Sequence, residues 1–304
     1  ARGWPGVAVS VCTCLPWVVA SVFADAPGTS SAASAAAFAP RAEAHVGTLG
    51  SLLGLGGIWN GQAVPASREL GFALFGVALS ALLALSWRAV PRRFLLLAAV
   101  GFAVAFGSWA GLTAPLIQHL PGGGLLRDGQ KWLILAIPAF VAAAGALEPR
   151  RALAAAAFAL LQVPDAPVAL AALAPTTVEV PAVDHRGRDV LFESRPALVP
   201  IDGHPVVDPA PKAMNVVESG ALTVDGVAVD PPSLRWSAAQ AALDNQARLR
   251  ELGVGVVVRA DGSVTSTGAP ARPLPPAGVA LFALWCMVPL IQCVQDHTTR
   301  KKHS

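Results

Sequence analysis

Long apolar stretches separated by short polar breaks constrain this chain more than any other feature. Six of them approach the roughly 20 residues that a helix needs to cross the hydrocarbon core of a bilayer. They are 6–23, 70–87, 94–117, 132–147, 152–174 and 277–294. Charged residues make up 13% of the chain, about half of the share in an average soluble domain. The pattern predicts a mostly α membrane protein with about six transmembrane helices.

The composition changes near residue 175. Region 175–276 is polar and rich in proline, and it contains strand-like runs at 189–192 and 253–258. An Asp-Gly pair within 222–229 predicts a hairpin. Helical periodicity over 237–252 predicts a helix, which Gly253 would end. We therefore expect a transmembrane core over 1–174, a small extracytoplasmic α/β domain over 175–276 between the last two spans, and a last transmembrane helix with a basic cytoplasmic tail over 277–304. A cleaved signal peptide is the alternative for 6–23.

Basic residues are distributed unevenly among the turns that join the apolar stretches. One presumed side carries nine, which are Arg2, Arg88, Arg92, Arg93, Arg150, Arg151, Arg300, Lys301 and Lys302. The other side carries four, which are Arg41, Arg68, Arg127 and Lys131. Because cytoplasmic loops of membrane proteins carry the excess of Lys and Arg, the side with nine is predicted to face the cytoplasm. This predicts a multi-pass plasma-membrane protein with both termini in the cytoplasm.

Several classes of site are disfavoured by the residues themselves. The cysteines, which are Cys12, Cys14, Cys286 and Cys293, all lie in apolar stretches and have neither disulfide nor metal spacing. The histidines His45, His119, His185 and His204 lack the spacing typical of zinc. A net charge of +3 gives no case for nucleic acid binding, which needs a basic patch. We expect no metal and no cofactor, since nothing in the sequence supports a divalent cation.

Two polar segments are the strongest site candidates. The first is the break at 125–132, which carries Arg127, Asp128, Gln130 and Lys131 after a run of three glycines. The second is the glycine-rich segment 49–60, which is too short to cross a bilayer and therefore reads as re-entrant or interfacial. It ends in Trp59 and Asn60 and is followed by Arg68 and Glu69. The sequence predicts that the two segments form one polar surface on the outer side of the membrane.

Two interpretations of these charges stay open. Arg and Lys recognise phosphate through charge-assisted hydrogen bonds, so the surface would hold a lipid-linked phosphate. Alternatively, Arg127–Asp128 and Arg68–Glu69 are local ion pairs that anchor helix ends at the interface. Asp165, in the broken stretch 152–174, either lines a polar cavity or marks the outer end of a helix.

A resemblance to a known family rests on several stretches. They are FAPRAEAHVGTLGSLLGLGGIWNGQAVPASRE, LLRDGQKWL, VVDPAPKAMN, LTVDGVAVDPP and LRELGVGVVV, within residues 38–258. They resemble a family of actinobacterial polytopic membrane proteins that is similar to the GT-C glycosyltransferases, which use polyprenyl-phosphate sugars at the outer face of the plasma membrane. The resemblance implies a multi-span core, an extracytoplasmic domain and synthesis of cell-envelope glycan. In such enzymes the catalytic carboxylate usually lies in the first outer loop, where this chain offers Asp25 and Glu43, so the chain is expected to be a C-terminal portion.

Three functions are compatible with these observations. The first is a GT-C-like glycosyltransferase whose partners are a lipid-linked sugar donor, an envelope glycan acceptor and membrane lipid. Its donor phosphate would bind Arg127, Lys131 and Arg68, with Asp128 as general base. Gln130, Glu69, Trp59 and Asn60 would complete the substrate site. The second is a non-catalytic, membrane-anchored envelope protein that binds glycan or a partner. The third is a transporter, which the lack of an inverted pair of broken segments disfavours.

Overall fold

The computed structural model of this protein describes residues 4–23, 30–120, 122–171, 173, 175, 177–201 and 204–287. Among the residues considered above, Arg2, Asp25, Cys293, Arg300, Lys301 and Lys302 lie outside this part of the chain. The α-helices are α1 (Trp4–Phe23), α2 (Ala32–Ala37), α3 (Gly47–Leu53), α4 (Ala73–Ala84), α5 (Arg92–Trp109), α6 (Ala114–His119), α7 (Ile137–Gly145), α8 (Pro149–Leu161), α9 (Ala166–Ala171), α10 (Ala210–Ala213), α11 (Leu234–Ala241) and α12 (Gln246–Glu251).

The remaining elements are short. The strands are β1 (Asp189–Phe192), β2 (Leu198–Ile201), β3 (His204–Val207), β4 (Leu222–Val224), β5 (Val227–Asp230), β6 (Val254–Val258) and β7 (Val264–Ser266). Single turns of 3-10 helix span Gly61–Ala63, Trp87–Ala89 and Gly123–Leu126, a longer 3-10 helix spans Gly129–Ala136, and a π-helix spans Arg68–Phe72. A further apolar helix spans Pro276–Met287.

The chain divides into two compact units. Unit 1 contains Ala1–Ala26, Val178–Gly220 and Pro232–Ser304, and unit 2 contains Pro27–Thr177 and Ala221–Pro231. The β4–β5 hairpin therefore belongs to the helical unit 2, although it lies far along the chain from the rest of that unit.

Unit 2 is built from helices around a core of small residues. Its central cluster consists of Leu83, Val90, Ala98, Ala136, Ala139, Ala143 and Ala155, which come from α4, α5, α7, α8 and the segments that join them. Small side chains allow the backbones to approach closely. A Cβ on Gly101 of α5 would lie 2.5 Å from the carbonyl oxygen of Trp132, so this crossing requires glycine.

The β4–β5 hairpin of unit 2 forms where the Asp-Gly pair predicts it. Asp225 and Gly226 both have positive φ, at 49° and 80°, which is the conformation of a type I′ turn. The hairpin is tied to the unit because the Ser31 hydroxyl donates to the carbonyl oxygen of Val229 over 2.7 Å. The hairpin prediction is confirmed.

Unit 1 contains a three-stranded sheet in the order β1-β6-β7, with β1 parallel to β6 and β7 antiparallel to it. On one face, Leu191 and Val257 pack against Ala239 of α11 and Leu249 of α12. The opposite face packs against α10. Both strands of the parallel pair are buried on two sides, which explains their unbroken apolar sequence. The strand predictions at 189–192 and 253–258 are confirmed.

The helix predicted over 237–252 is two helices. α11 ends at Ala241, and Asn245 then caps α12 by accepting a hydrogen bond from the backbone N–H of Arg248 over 3.0 Å. A side-chain oxygen that satisfies a free N–H starts a new helix and so interrupts the old one. The predicted end is confirmed, because Gly253 follows α12 with φ of 72°.

The prediction of a six-span membrane protein is wrong. Within the described residues, α5 is the one helix long and apolar enough to cross a bilayer. Stretch 70–87 divides into the end of the π-helix and a 12-residue α4. Stretch 94–117 divides at Gly111, whose φ is 75°. Stretch 132–147 changes from 3-10 to α-helix at Ile137. Together with its small sheets, the chain is a mixed α/β protein.

Hydropathy counts apolar side chains, whereas a spanning helix also needs continuous backbone hydrogen bonding. Pro138 illustrates the difference. It falls within stretch 132–147 and lies in the first turn of α7, where a residue without an N–H is tolerated. Segment 49–60 contains the second half of α3 followed by an irregular loop.

Candidate functional site

The predicted site residues all lie in unit 2, but the structure does not gather them into one cluster of free charges. Each predicted cation is held by a carboxylate. Arg68 binds Glu43, Arg127 binds Asp230, and Lys131 binds Asp128. Glu69 is exposed at the start of the π-helix.

The pair of Glu43 and Arg68 is almost completely buried, with side chains 3% and 7% exposed. The Arg68 Nη2 and Nε atoms donate to Glu43 Oε2 over 2.5 and 2.8 Å. The other carboxylate oxygen accepts the backbone N–H of Gly57 over 2.9 Å. Gly56 packs against both side chains, where a Cβ would clash. The pair therefore fixes the loop after α3 against the start of the π-helix.

Hydrogen bonds extend this buried pair to the end of α8. Arg68 Nη1 donates to Gln162 Oε1 over 3.1 Å. The neighbouring Ser67 donates to both oxygens of Asp165, from its hydroxyl over 2.5 Å and from its backbone N–H over 2.9 Å. These hydrogen bonds from Ser67, the hydroxyl first, lower the pKa of Asp165 below its ordinary value. Asp165 thus accepts hydrogen bonds at the turn between α8 and α9.

Arg127 is held between a carboxylate and an aromatic ring. Its Nη1 donates to Asp230 Oδ2 over 2.7 Å and lies 3.4 Å from the Ser34 hydroxyl. Its guanidinium stands 4.3 Å from the centre of the Phe38 ring, within the range of a cation–π interaction. The predicted local pair with Asp128 is wrong, as is the predicted pair of Arg68 with Glu69.

Asp128 has partners on both carboxylate oxygens. Lys131 forms an ion pair with Oδ2, and the Gln130 side-chain nitrogen donates to Oδ1 over 3.2 Å. The Asp128 side chain is only 13% exposed. The Gln130 Oε1 atom is buried without a hydrogen-bond partner. A general base needs an oxygen that faces the acceptor, and in this arrangement each Asp128 oxygen already contacts a neighbouring side chain.

Trp59 contacts the same Phe38 ring as Arg127 and lies at a surface with unpaired polar groups. Its ring packs edge-on against Phe38, with 4.5 Å between the centroids. The exposed Arg41 donates from Nη1 to the Trp59 carbonyl oxygen over 3.4 Å. Asn60 accepts the backbone N–H of Gln62 over 3.0 Å. We call the group Phe38, Arg41, Trp59, Asn60 and Gln62 the Trp59 surface.

The Trp59 surface keeps several hydrogen-bonding groups available. Within the described part of the chain, Arg41 forms no ion pair, and the side-chain nitrogens of Asn60 and Gln62 have no hydrogen-bond partner. Trp59 and Asn60 are half-buried, and Gln62 is exposed. An aromatic ring that packs on Phe38 thus belongs to a segment whose polar side chains can bind a polar ligand.

Sequence reasoning found Trp59 and Asn60 but missed Phe38, Glu43 and Asp230 as members of the site. Glu43 lies 25 residues from Arg68, and Asp230 lies 103 residues from Arg127, so no local spacing links either carboxylate to its arginine. Among the residues that the structure describes, no group of three or more His, Cys, Asp or Glu could hold a metal ion. No family model, curated protein or solved structure matches the chain.

Proposed function

We propose that this protein binds glycan non-catalytically, at the Trp59 surface of unit 2. The flat, C–H-bearing face of a sugar ring packs on an aromatic ring, while its hydroxyls need hydrogen-bond partners. Trp59 supplies a large apolar surface at low entropic cost, as rigid aromatic side chains do. The observation that carries the proposal is the contact of Trp59 with buried Phe38, because it fixes the orientation of the tryptophan ring before a ligand arrives.

The polar groups around Trp59 suit a sugar. Ligand sites combine apolar contact with a few polar groups that fix orientation. The guanidinium of Arg41 can donate two parallel hydrogen bonds, and the amides of Asn60 and Gln62 can each donate and accept. Such planar groups match the adjacent hydroxyls of a sugar ring.

Transfer of a sugar is less well supported than binding. A polyprenyl-phosphate donor would have to displace Asp230 from Arg127 and Asp128 from Lys131. Arg68 is buried together with Glu43 and is closed to any donor. Action as a GT-C-like glycosyltransferase therefore stays a prediction of the sequence.

A glycan array tests the proposal. The purified chain is applied to immobilised neutral and phosphorylated oligosaccharides, beside the variants Trp59→Ala and Trp109→Ala. Trp109 is a matched control, because it is an exposed tryptophan of unit 2 with no contact to Phe38. Circular dichroism of all three proteins checks that they are folded.

We expect neutral oligosaccharides to be retained by the unmodified chain and by Trp109→Ala, and to be lost by Trp59→Ala. A loss of at least tenfold in affinity corresponds to about 1.4 kcal/mol, which is a modest value for one stacked ring. Retention by Trp59→Ala, or no retention by the unmodified chain, would contradict the proposal. Retention of phosphorylated sugars alone would instead favour the lipid-phosphate donor.

A further inference from the structure

Five exposed arginines of unit 2 occur in two turns, and the structure brings these turns to one end of the helical layer. In the first connection, Arg88 lies in the 3-10 turn, and Arg92 and Arg93 are the first residues of α5, on the other side of the buried Val90. Val90 packs in the same apolar cluster as Leu147, which lies just before the second turn.

A hydrogen bond joins the segments that lead into these turns. The Ser86 hydroxyl donates to the carbonyl oxygen of Ala143 over 2.9 Å. Ser86 lies two residues before Arg88, and Ala143 lies near the end of α7, whose chain continues through Leu147 into α8. The ends of α4 and α7 are therefore adjacent.

The direction of α8 places the second turn at this same end. Gln162, just after α8, binds Arg68, which precedes α4, and Phe158 near the end of α8 contacts Phe75 at the start of α4. The two helices consequently run antiparallel. The first residues of α8, which include Arg150 and Arg151, lie beside the end of α4.

These arginines have no carboxylate partner. Among the described residues, none of the five takes part in an ion pair, in contrast to Arg68, Arg127 and Lys131. The carboxylates that pair with Arg68, Arg127 and Lys131 lie towards the other end of the helical layer. At that end Ser108, near the end of α5, packs on Gly129. Unit 2 is therefore polarised: this end carries five arginines and one neighbouring carboxylate, the exposed Glu148, so its net charge is positive. We call Arg88, Arg92, Arg93, Arg150 and Arg151 the arginine end.

Exposed apolar side chains accompany these charges. Leu85 and Trp87 are 66% and 55% exposed, and the Arg88 guanidinium stands 5.6 Å from the centre of the Trp87 ring. Tryptophan is enriched at the boundary between lipid and water, and basic residues beside exposed apolar ones are typical of surfaces that bind anionic lipid.

We propose that the arginine end docks on the surface of a bilayer that contains anionic lipids. Guanidinium groups bind the headgroup phosphates, while Trp87 and Leu85 enter the boundary region between headgroups and acyl chains. A lipid surface accounts for both the charge and the exposed apolar side chains, whereas a nucleic acid would leave Leu85 without an apolar partner.

Vesicle flotation of the purified chain tests this docking. One set of vesicles is phosphatidylcholine alone, and the other contains phosphatidylcholine with phosphatidylglycerol. The test variant replaces Arg88, Arg92 and Arg93 by Gln. The control variant replaces Arg186, Arg248 and Arg250 by Gln, which removes the same charge from exposed positions of unit 1.

Each arginine near an anionic surface contributes roughly fivefold to partitioning, so the test variant should lose on the order of 100-fold. The control variant should bind as the unmodified chain does, and added salt should weaken binding. A Trp87→Ala variant should bind less well to the anionic vesicles while keeping its preference for them.

Equal binding to both kinds of vesicle would overturn the proposal, as would equal losses in the test and control variants. Failure of the unmodified chain to float with the anionic vesicles would also overturn it. So would tighter retention on a short DNA duplex than on these vesicles, in a parallel titration at the same salt concentration.

Discussion

The buried pair of Glu43 and Arg68 gives the sharpest prediction about stability. Glu43→Gln keeps the shape of the side chain but removes its charge. The Arg68 guanidinium, in a side chain only 7% exposed, then loses its counter-charge and cannot recover it from solvent. We expect unit 2 to be strongly destabilised.

The expected magnitude follows from the geometry of the pair. Removing one partner of a buried ion pair costs about 3–5 kcal/mol, because a buried charge is left unpaired. Whole domains are stable by only about 5–15 kcal/mol, so this is a large fraction of the total. The double variant Glu43→Gln with Arg68→Met removes the stranded charge as well. Its cost should fall below the sum of the single costs by about 1–3 kcal/mol.

Hydrogen exchange followed by mass spectrometry is the appropriate assay, because a chain with two units need not unfold in one step. Protection of peptides from α4 reports the free energy of opening in unit 2. The control is Glu251→Gln in unit 1, which breaks the exposed pair of Arg248 and Glu251, whose charged atoms lie 2.7 Å apart. An exposed pair contributes about 0–1 kcal/mol, so protection of α12 should change little.

Two results would refute this reasoning. One is a loss of less than about 1 kcal/mol in Glu43→Gln, which would mean that solvent reaches Arg68. The other is strict additivity of the two single substitutions, which would mean that the two side chains do not interact.

Three further predictions concern single positions. Hydrogen bonding to Arg195 lowers the pKa of Asp208 below its ordinary 3.8, so the contribution of Asp208 to stability is present above pH 3.8 and is lost as the pH falls further. Asp208→Asn should therefore cost unit 1 about 2 kcal/mol near pH 7. It should also flatten the acid-unfolding curve of unit 1 below pH 4, measured by circular dichroism. Gly226→Val places a β-branched residue at φ of 80° and should destabilise the hairpin by about 1–2 kcal/mol, seen as faster hydrogen exchange in β4 and β5. Gly56→Ala inserts a methyl group against the buried ion pair and should lower the unfolding free energy of unit 2 by about 1–3 kcal/mol. The control is Gly145→Ala, whose methyl group would meet nothing within 4 Å. It should change this free energy by less than about 1 kcal/mol.

Local features of the fold could be predicted from the sequence, and long-range ones could not. The Asp225-Gly226 turn encodes its own conformation, because only certain residues accept positive φ, and the apolar runs of β1 and β6 are typical of buried parallel strands. The long apolar stretches were misleading because the breaks within them are conformational. Gly111 ends a helix through its φ of 75°, which a hydropathy average does not register.

The same limit applies to the candidate site. Trp59 and Asn60 could be identified because they end the glycine-rich segment 49–60, which the sequence predicts to form part of a polar surface. The partners of the charged residues were assigned to sequence neighbours, such as Glu69 for Arg68. The buried partner Glu43 meets Arg68 only through the folded loop, so the sequence does not reveal that these cations are paired.

Photo-crosslinking tests glycan binding at the Trp59 surface most directly. A neutral oligosaccharide selected on the array carries a diazirine, and the crosslinked peptides are identified by mass spectrometry. The account predicts adducts in residues 57–64 and around Arg41, and their loss in Trp59→Ala. Adducts confined to unit 1, or adducts at the same positions and yield in Trp59→Ala, would contradict it.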